Sequence, residues 1–407
     1  MDHGQPGAGV VTGLTHVAVV GAGIGGLAAA LALSRVAGQV TLLERREHPA
    51  EVGAALALQA NGLAVLDELG VRPAVEQIGS RIDRMWIRNA AGTPLLTAVV
   101  PDFGDGLDHA LAVRRTELHQ LLLDAVLAEG SIETRFGCTL VQAEPTGELV
   151  VHTGSDGSGP DGTALLRFDL VVGADGANSA VRSTGGFPAR ISTGSRYVRA
   201  IVDAPADAGF EEYWTPLGSF GHAAIGPAGT PTYFWAAAHA PQVADAVSNR
   251  DLDTFTDAWE RVLPSAGRLL RKVATFDELL LNTVRRVDCR RWRSGRLVLL
   301  GDAAHAMAPN LGQGANSALV DAMVLAASLR TEESVPVALQ RYDRRRRPVV
   351  RRVQNIAGLL ESLCNLRHRS ATRMRDAVLT TLARSSRLSA TAMRRALEDD
   401  IRTVRTS

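Results

Sequence analysis

The sequence predicts an α/β protein in which a parallel sheet flanked by helices is split by an inserted antiparallel β-sheet domain and followed by C-terminal helices. Three observations lead there. The stretch from Thr15 to Leu33 reads as a buried strand, a tight glycine turn and a helix. Two later stretches, Phe168 to Arg182 and Arg296 to Asn316, again run an apolar strand into a glycine–acid turn. Between those two lies a region of short β-rich runs broken by turns, of the sort that builds a separate antiparallel sheet. The expected units are therefore 1–185 and 291–350 for the two parts of the parallel domain, 186–290 for the insert and 351–407 for the C-terminal helices.

Val17 to Val20 form an apolar run suited to a strand buried on both faces, and glycines follow at once. Gly21, Gly23 and Gly26 occupy G-x-G-x-x-G positions, with Ile24 and Gly25 between them. In such a motif the first glycine makes the turn, the second lets a pyrophosphate approach the backbone, and the third packs helix on strand. A second strand, Gln39 to Leu43, ends at Glu44, eighteen residues after Gly26, with Arg45 beside it. A carboxylate there can accept the hydroxyls of an adenosine ribose. Gly157, Gly159 and Gly162 also fit the glycine spacing, but Pro160 interrupts them and no strand leads in. That copy is expected to be a hairpin loop.

A helix is expected from about Gln59 to Leu69, closed by Gly70, then a strand pair, Asp83 to Asn89 and Pro94 to Val99. A helix from Arg114 to Val126 follows, then strands at Ile132 to Phe136, Thr139 to Ala143, Leu149 to Thr153 and Leu165 to Phe168. Asp175 and Gly176 close the second strand–turn segment, where an acid between glycines is either a ligand contact or a helix cap. The insert's strands cluster four aromatics, Tyr213, Trp214, Phe234 and Trp235, in a chain that is only 4% aromatic. The third segment carries Gly301 and Asp302, then His305, Pro309 and Asn310, then a helix opened by Gly312, Gln313, Gly314, Ala315 and Asn316. The helix starting near Val335 is expected to be interrupted at Pro348.

Composition narrows the function. With 46% hydrophobic and 21% charged residues, and 44 Lys plus Arg against 43 Asp plus Glu, the chain is an ordinary globular protein with no general affinity for nucleic acid. No apolar run reaches membrane-spanning length and no signal peptide is recognisable, so a cytoplasmic protein is expected, without membrane or nucleic-acid partners. Cys138, Cys289 and Cys364 are widely spaced and no metal-ligand pattern occurs, so neither disulfides nor a metal site are expected. Between Arg341 and Ser407 seventeen Arg face six acids, read as solvated helix faces.

The three segments, in this order and spacing, resemble the class A flavoprotein monooxygenases, the family of p-hydroxybenzoate and salicylate hydroxylases, over about the first 350 residues. The resemblance implies a Rossmann-like FAD-binding domain of that type. It implies FAD held by Gly21, Gly23, Gly26 and Glu44 at its ADP end, with Arg115 supporting the pyrophosphate and Arg114 one residue away as the alternative. Asp175 and Gly176 would touch FAD and help NAD(P)H dock as co-substrate. Asp302 would accept a ribityl hydroxyl, and the amides of Gly312 to Asn316 would face the flavin ring. The implied reaction is hydroxylation of an aromatic or polycyclic small molecule with O2 through a flavin C4a-hydroperoxide, by a monomer or homodimer. Epoxidation, Baeyer–Villiger insertion or reduction by a related flavoprotein is the alternative, and a non-catalytic flavin-fold binder a more distant one. His222 and Tyr213, with Pro309, are the candidates for assisting catalysis; Trp214, Trp235 and Asn310 are expected to line the substrate cavity with them.

Overall fold

A computed structural model describes residues 14–48, 54–153, 162–205, 209–383, 397 and 400–405. The Gly157–Pro160 loop lies outside them. At the centre is a six-stranded sheet in the order Arg293–Ser294, Leu297–Leu299, Leu170–Gly173, His16–Val20, Gln39–Leu43, Ile132–Arg135. Val17, Ala18 and Val19 are wholly buried, as the apolar run requires of a strand covered on both faces. The inner strands pair in parallel, with Val20 opposite Gly173 and Gly173 opposite Leu299. The carboxyl ends of all three predicted segments are thereby level and adjacent. Helices Ile24–Leu33 and Gln313–Thr331 pack directly against each other on this sheet.

The second sheet has seven strands in the order Leu280–Cys289, Ala189–Val202, Thr232–Ala237, Gly218–Ala224, Phe210–Thr215, Arg84–Asn89, Pro94–Val99. Its last two strands come from far upstream of residue 186, and Arg84–Asn89 pairs in parallel with Phe210–Thr215. Met85 packs there in a cluster with Ala223, Ile225 and Tyr233, and Ile87 in one with Leu95 and Trp214. A small sheet of Ala55–Leu58, Ala110–Arg114 and Ser80–Ile82 bridges the two large ones.

Three sequence expectations change. The strand Ile132–Arg135, expected in one antiparallel meander with the three strands after it, belongs to the edge of the parallel sheet, and only Thr139–Ala143, Glu148–His152 and Thr163–Arg167 form that meander. Helix Val335–Cys364 runs unbroken through Pro348. The carbonyl that Pro348 leaves without a donor is that of Arg344, and both residues are exposed, so the helix tolerates the proline at its surface. Helices Arg72–Ile78, Pro241–Ser248 and Pro264–Leu270 were not expected; each carries proline in its first turn, where proline starts a helix instead of breaking one. Among the described residues no helix is long and apolar enough to cross a membrane.

Candidate active site

The glycine turn is built by steric necessity. Gly21 has φ +103°, and a Cβ on it would lie 2.7 Å from the Ala174 carbonyl oxygen. A Cβ on Gly26 would sit 1.8 Å from the Gly21 carbonyl oxygen, so helix and strand can approach only over a glycine. Gly25 faces Ala318 and Leu300 and serves the helix–helix contact, and Ile24 is buried beside it. Gly23 differs: a Cβ there meets no protein atom within 4 Å. Glu44 turns toward the turn, its Oε2 accepting from the Ala22 amide (2.8 Å) and its Oε1 from the Arg46 amide (3.0 Å). Arg45 is exposed. Arg114 stands 3.7 Å from Glu117, whereas Arg115, exposed at the start of its helix, has no side-chain partner among the described residues.

At the second corner Asp175 takes the first amides of helix Ala180–Thr184, whose N-cap is Ser179. Its Oδ2 accepts from the amides of Ala180 (2.6 Å) and Val181 (3.1 Å), its Oδ1 is buried with no partner among the described residues, and desolvation raises its pKa. Gly176, at φ +81°, has open space on its Cβ side. Buried Arg182 ties this corner to the third by donating to the carbonyls of Ala177 (2.8 Å) and Ala303 (2.7 Å).

At the third corner Gly301 (φ +58°) donates its amide to Asp321 Oδ2 (3.1 Å), which leaves Asp302 exposed with no hydrogen bond or ion pair among the described residues. Gly312, at φ +63°, opens helix Gln313–Thr331, and Gly314 faces open space. Ala315 is half-buried beside it. The side chains of Gln313 and Asn316 are occupied by the fold. Asn316 donates to the carbonyls of Ala57 (2.9 Å) and Gly312 (2.7 Å) and accepts from the Gln59 amide (3.0 Å). Gln313 donates to Gln59 Oε1 (2.7 Å) and accepts from Asn61 (3.0 Å). They hold the turn and leave its backbone amides for an outside acceptor.

This arrangement fits FAD. Neither helix Ile24–Leu33 nor helix Gln313–Thr331 has a side-chain cap, so both present first-turn N–H groups to an anion. The glycines that would approach a ligand are the ones with nothing in front of them, and Asp302 is a carboxylate still without a donor.

The second sheet separates the residues expected to line one cavity. Adjacent strand residues point to opposite faces. Tyr213 and His222 share a face with Phe220 and Phe234, and Phe220 packs against Trp259 of a covering helix (5.6 Å between rings). There Tyr213 donates to Glu211 Oε2 (2.6 Å) and His222 Nε2 stands 3.8 Å from the same oxygen. Trp214 and Trp235 lie on the other face, which packs on the small bridging sheet through Tyr233, Ala110 and Ala112. That small sheet ends at Ala57 and Gln59, the partners of the Gly312 turn, so this second face is the one turned toward the cofactor corners. Trp214 itself is buried under the C-terminal helices with Cys364 and Leu379. Trp235 lies over Gly221, with ring contacts to Phe210 (5.5 Å) and Tyr233 (5.8 Å). Pro309 is exposed, and Asn310 Oδ1 is buried without a partner among the described residues. The sequence reading missed Arg199 and Asn282, which lie on this same face and whose Nε and Oδ1 are buried without partners among the described residues. The signal is local: Arg199 stands between Val198 and Ala200 in the apolar end of its strand, in register with Trp235.

Residues 14–357 match the model of a family described as FAD binding domain. An aurachin C monooxygenase/isomerase of Stigmatella aurantiaca is 33% identical over 350 residues, covering 82% of this chain and 85% of that protein. A 3-hydroxybenzoate 6-hydroxylase of Aquipseudomonas alcaligenes is 31% identical over 365 residues, covering 83% and 86%. Among solved structures, 2-methyl-3-hydroxypyridine-5-carboxylic acid oxygenase superposes with a TM-score of 0.75 at 25% identity, over 96% of this chain and 98% of that one.

Proposed function

The chain belongs to the FAD binding domain family of flavoprotein monooxygenases, and from that premise we propose how its own residues divide the work. It is an FAD-dependent oxidoreductase that uses NAD(P)H and O2 to hydroxylate aromatic small molecules. Bound FAD supplies the electron transfer and the activation of O2. Gly23 and the amides of Ile24 and Gly25 receive the pyrophosphate, Arg115 neutralises it, and Glu44 takes the ribose hydroxyls. Asp302 accepts a hydroxyl of the ribityl chain. The first-turn amides after Gly312 stabilise negative charge on the flavin edge. The observation that carries this reading is the level row of three strand ends with an unpartnered Asp302 beside unfilled glycine positions.

The aromatic substrate lies against the inward face of the second sheet, between Trp235 and the Pro309–Asn310 turn. Phe210, Tyr233 and Trp235 form an apolar wall that excludes water, and Arg199, Asn282 and Asn310 offer the polar groups that orient the ring. A buried guanidinium nitrogen without a partner selects an anionic substituent, so the favoured substrate is an aromatic acid or a ring that is acidic itself. Tyr213 and His222, facing the covering helices, support the sheet from behind. Arg199→Met is expected to raise KM for a carboxylated phenol about tenfold or more, with little change for its uncharged analogue. Steady-state NAD(P)H oxidation with the two substrates checks this, and an equal effect on both removes Arg199 from the substrate site.

A further inference from the structure

The C-terminal helix reaches back into the first domain, and its buried acid is wired to two of the cofactor corners. Ile401 and Val404 pack in the core of the parallel domain. Beside them Asp400, 6% exposed, accepts through Oδ1 from Arg346 Nη1 (2.5 Å) and through Oδ2 from Asn61 Nδ2 (3.2 Å). Each contact starts a chain of side chains. Along the first, Arg346 Nε donates to Asp321 Oδ1 (2.8 Å), and Asp321 Oδ2 accepts from the Gly301 amide (3.1 Å) and from His305 Nε2 (2.5 Å). Along the second, Asn61 donates to Gln313 Oε1 (3.0 Å), Gln313 donates to Gln59 Oε1 (2.7 Å), and Gln59 Nε2 donates to the Leu311 carbonyl (2.7 Å). One chain ends at the Gly301–Asp302 turn and the other at the Gly312 turn.

All of these side chains are buried, and Arg346 and Asp321 are almost completely so. The seventeen-arginine tail is therefore not wholly a solvated face. A buried charge network of this kind is a weak source of stability, because desolvation offsets its attraction, but it admits few alternative geometries. Asp400 touches neither cofactor corner directly, and its two oxygens are the point where both chains meet.

We propose that Asp400 is a positioning residue for the cofactor site, setting the spacing between the Gly301–Asp302 turn and the Gly312 turn from a helix at the far end of the chain. The proposal rests on those turns being the FAD seat. Asp400→Asn keeps the shape but offers one acceptor oxygen where two donors arrive, so both turns gain freedom.

The test compares wild type, Asp400→Asn, Asp400→Glu and an Arg346→Met/Asp400→Leu double variant, with Asp302→Ala as a control on the site itself. Apoprotein is titrated with FAD by flavin fluorescence, the fine structure of the bound flavin's visible absorption band is recorded, and apoprotein melting is followed by circular dichroism. Asp400→Asn is expected to weaken FAD binding about tenfold and blur the flavin band, while Asp400→Glu recovers part of both. The double variant removes the Arg346–Asp400 pair but also leaves buried Asp321 with His305 as its remaining side-chain partner, so it is expected to melt below wild type and to bind FAD weakly. Wild-type FAD affinity and band shape in Asp400→Asn or in the double variant overturns the proposal. If Asp302→Ala is weakened while those variants are not, the positioning role alone fails; if wild-type apoprotein takes up no FAD, the site reading fails with it.

Discussion

Gly23→Ala is expected to leave the apoprotein as stable as wild type while weakening FAD binding about a hundredfold, the upper end of what one added methyl costs in a rigid site. The two halves of this result have separate causes. The Gly23 backbone, at φ −75° and ψ 175°, is open to any residue, and an added Cβ meets no protein atom within 4 Å. The fold therefore has no reason to notice the change. The same empty space is where a pyrophosphate must come close to the helix amides, and a methyl group holds it off. Gly26→Ala supplies the contrast, since its Cβ would lie 1.8 Å from the Gly21 carbonyl oxygen and backbone cannot move aside cheaply. That variant loses stability and FAD together. Thermal melting of the apoproteins and FAD titration read both, and a Gly23→Ala protein that binds FAD normally would remove the glycine turn from the cofactor site.

Glu212→Gln is expected to raise stability at alkaline pH and leave it nearly unchanged in acid. Glu212 is buried on the inward face of the second sheet, accepting from Trp214 Nε1 (2.9 Å) with Ser219 beside it. Cys364, whose own thiol is pushed well up by burial, and Arg375, over the Trp214 ring, complete its surroundings. Burial pushes the Glu212 carboxyl up from 4.5 to about 7, because ionisation in that core lacks a paired cation. A raised carboxyl gives its full stability below the unfolded value and loses it as pH rises through the folded one. The shift corresponds to about 3 kcal/mol, lost progressively between roughly pH 4.5 and pH 7 and absent above. Glutamine keeps the acceptor for Trp214 and has no proton to lose. Denaturant unfolding at about pH 5 and about pH 8.5 should therefore show the variant matching wild type in the first buffer and exceeding it in the second. Parallel pH profiles would mean that Glu212 is ionised or solvated in the native state.

The cofactor corners were legible because their signals are local. Each is a strand, a glycine and an acid within a few residues, and the order of the three along the chain implies the sheet that gathers them. The substrate side was less so. Tyr213 and Trp214 are neighbours in sequence and were grouped as cavity walls, yet a strand sends them to opposite faces. Period two alone separates them; deciding which face turns inward needs the helices that cover Phe220 and the small sheet that covers Trp235. Arg199 stands in plain view among the apolar residues at the end of its strand, but the burial of its Nε without a partner among the described residues exists only in three dimensions. Asp400 and Asn61 lie 339 residues apart, and no spacing rule joins them. The three short proline-led helices are missed for a different reason: each is only seven or eight residues long, and the proline in its first turn is the one local signal of its start.

The central claim is that one FAD is held by strand ends from three distant parts of the chain. Calorimetric titration of FAD into wild-type and Asp302→Ala apoprotein tests it most directly. The account predicts one FAD per chain in the wild type and binding weaker by about tenfold or more in the variant, with both apoproteins equally folded. Equal affinity in the two proteins, or no FAD uptake by the wild type, would contradict it.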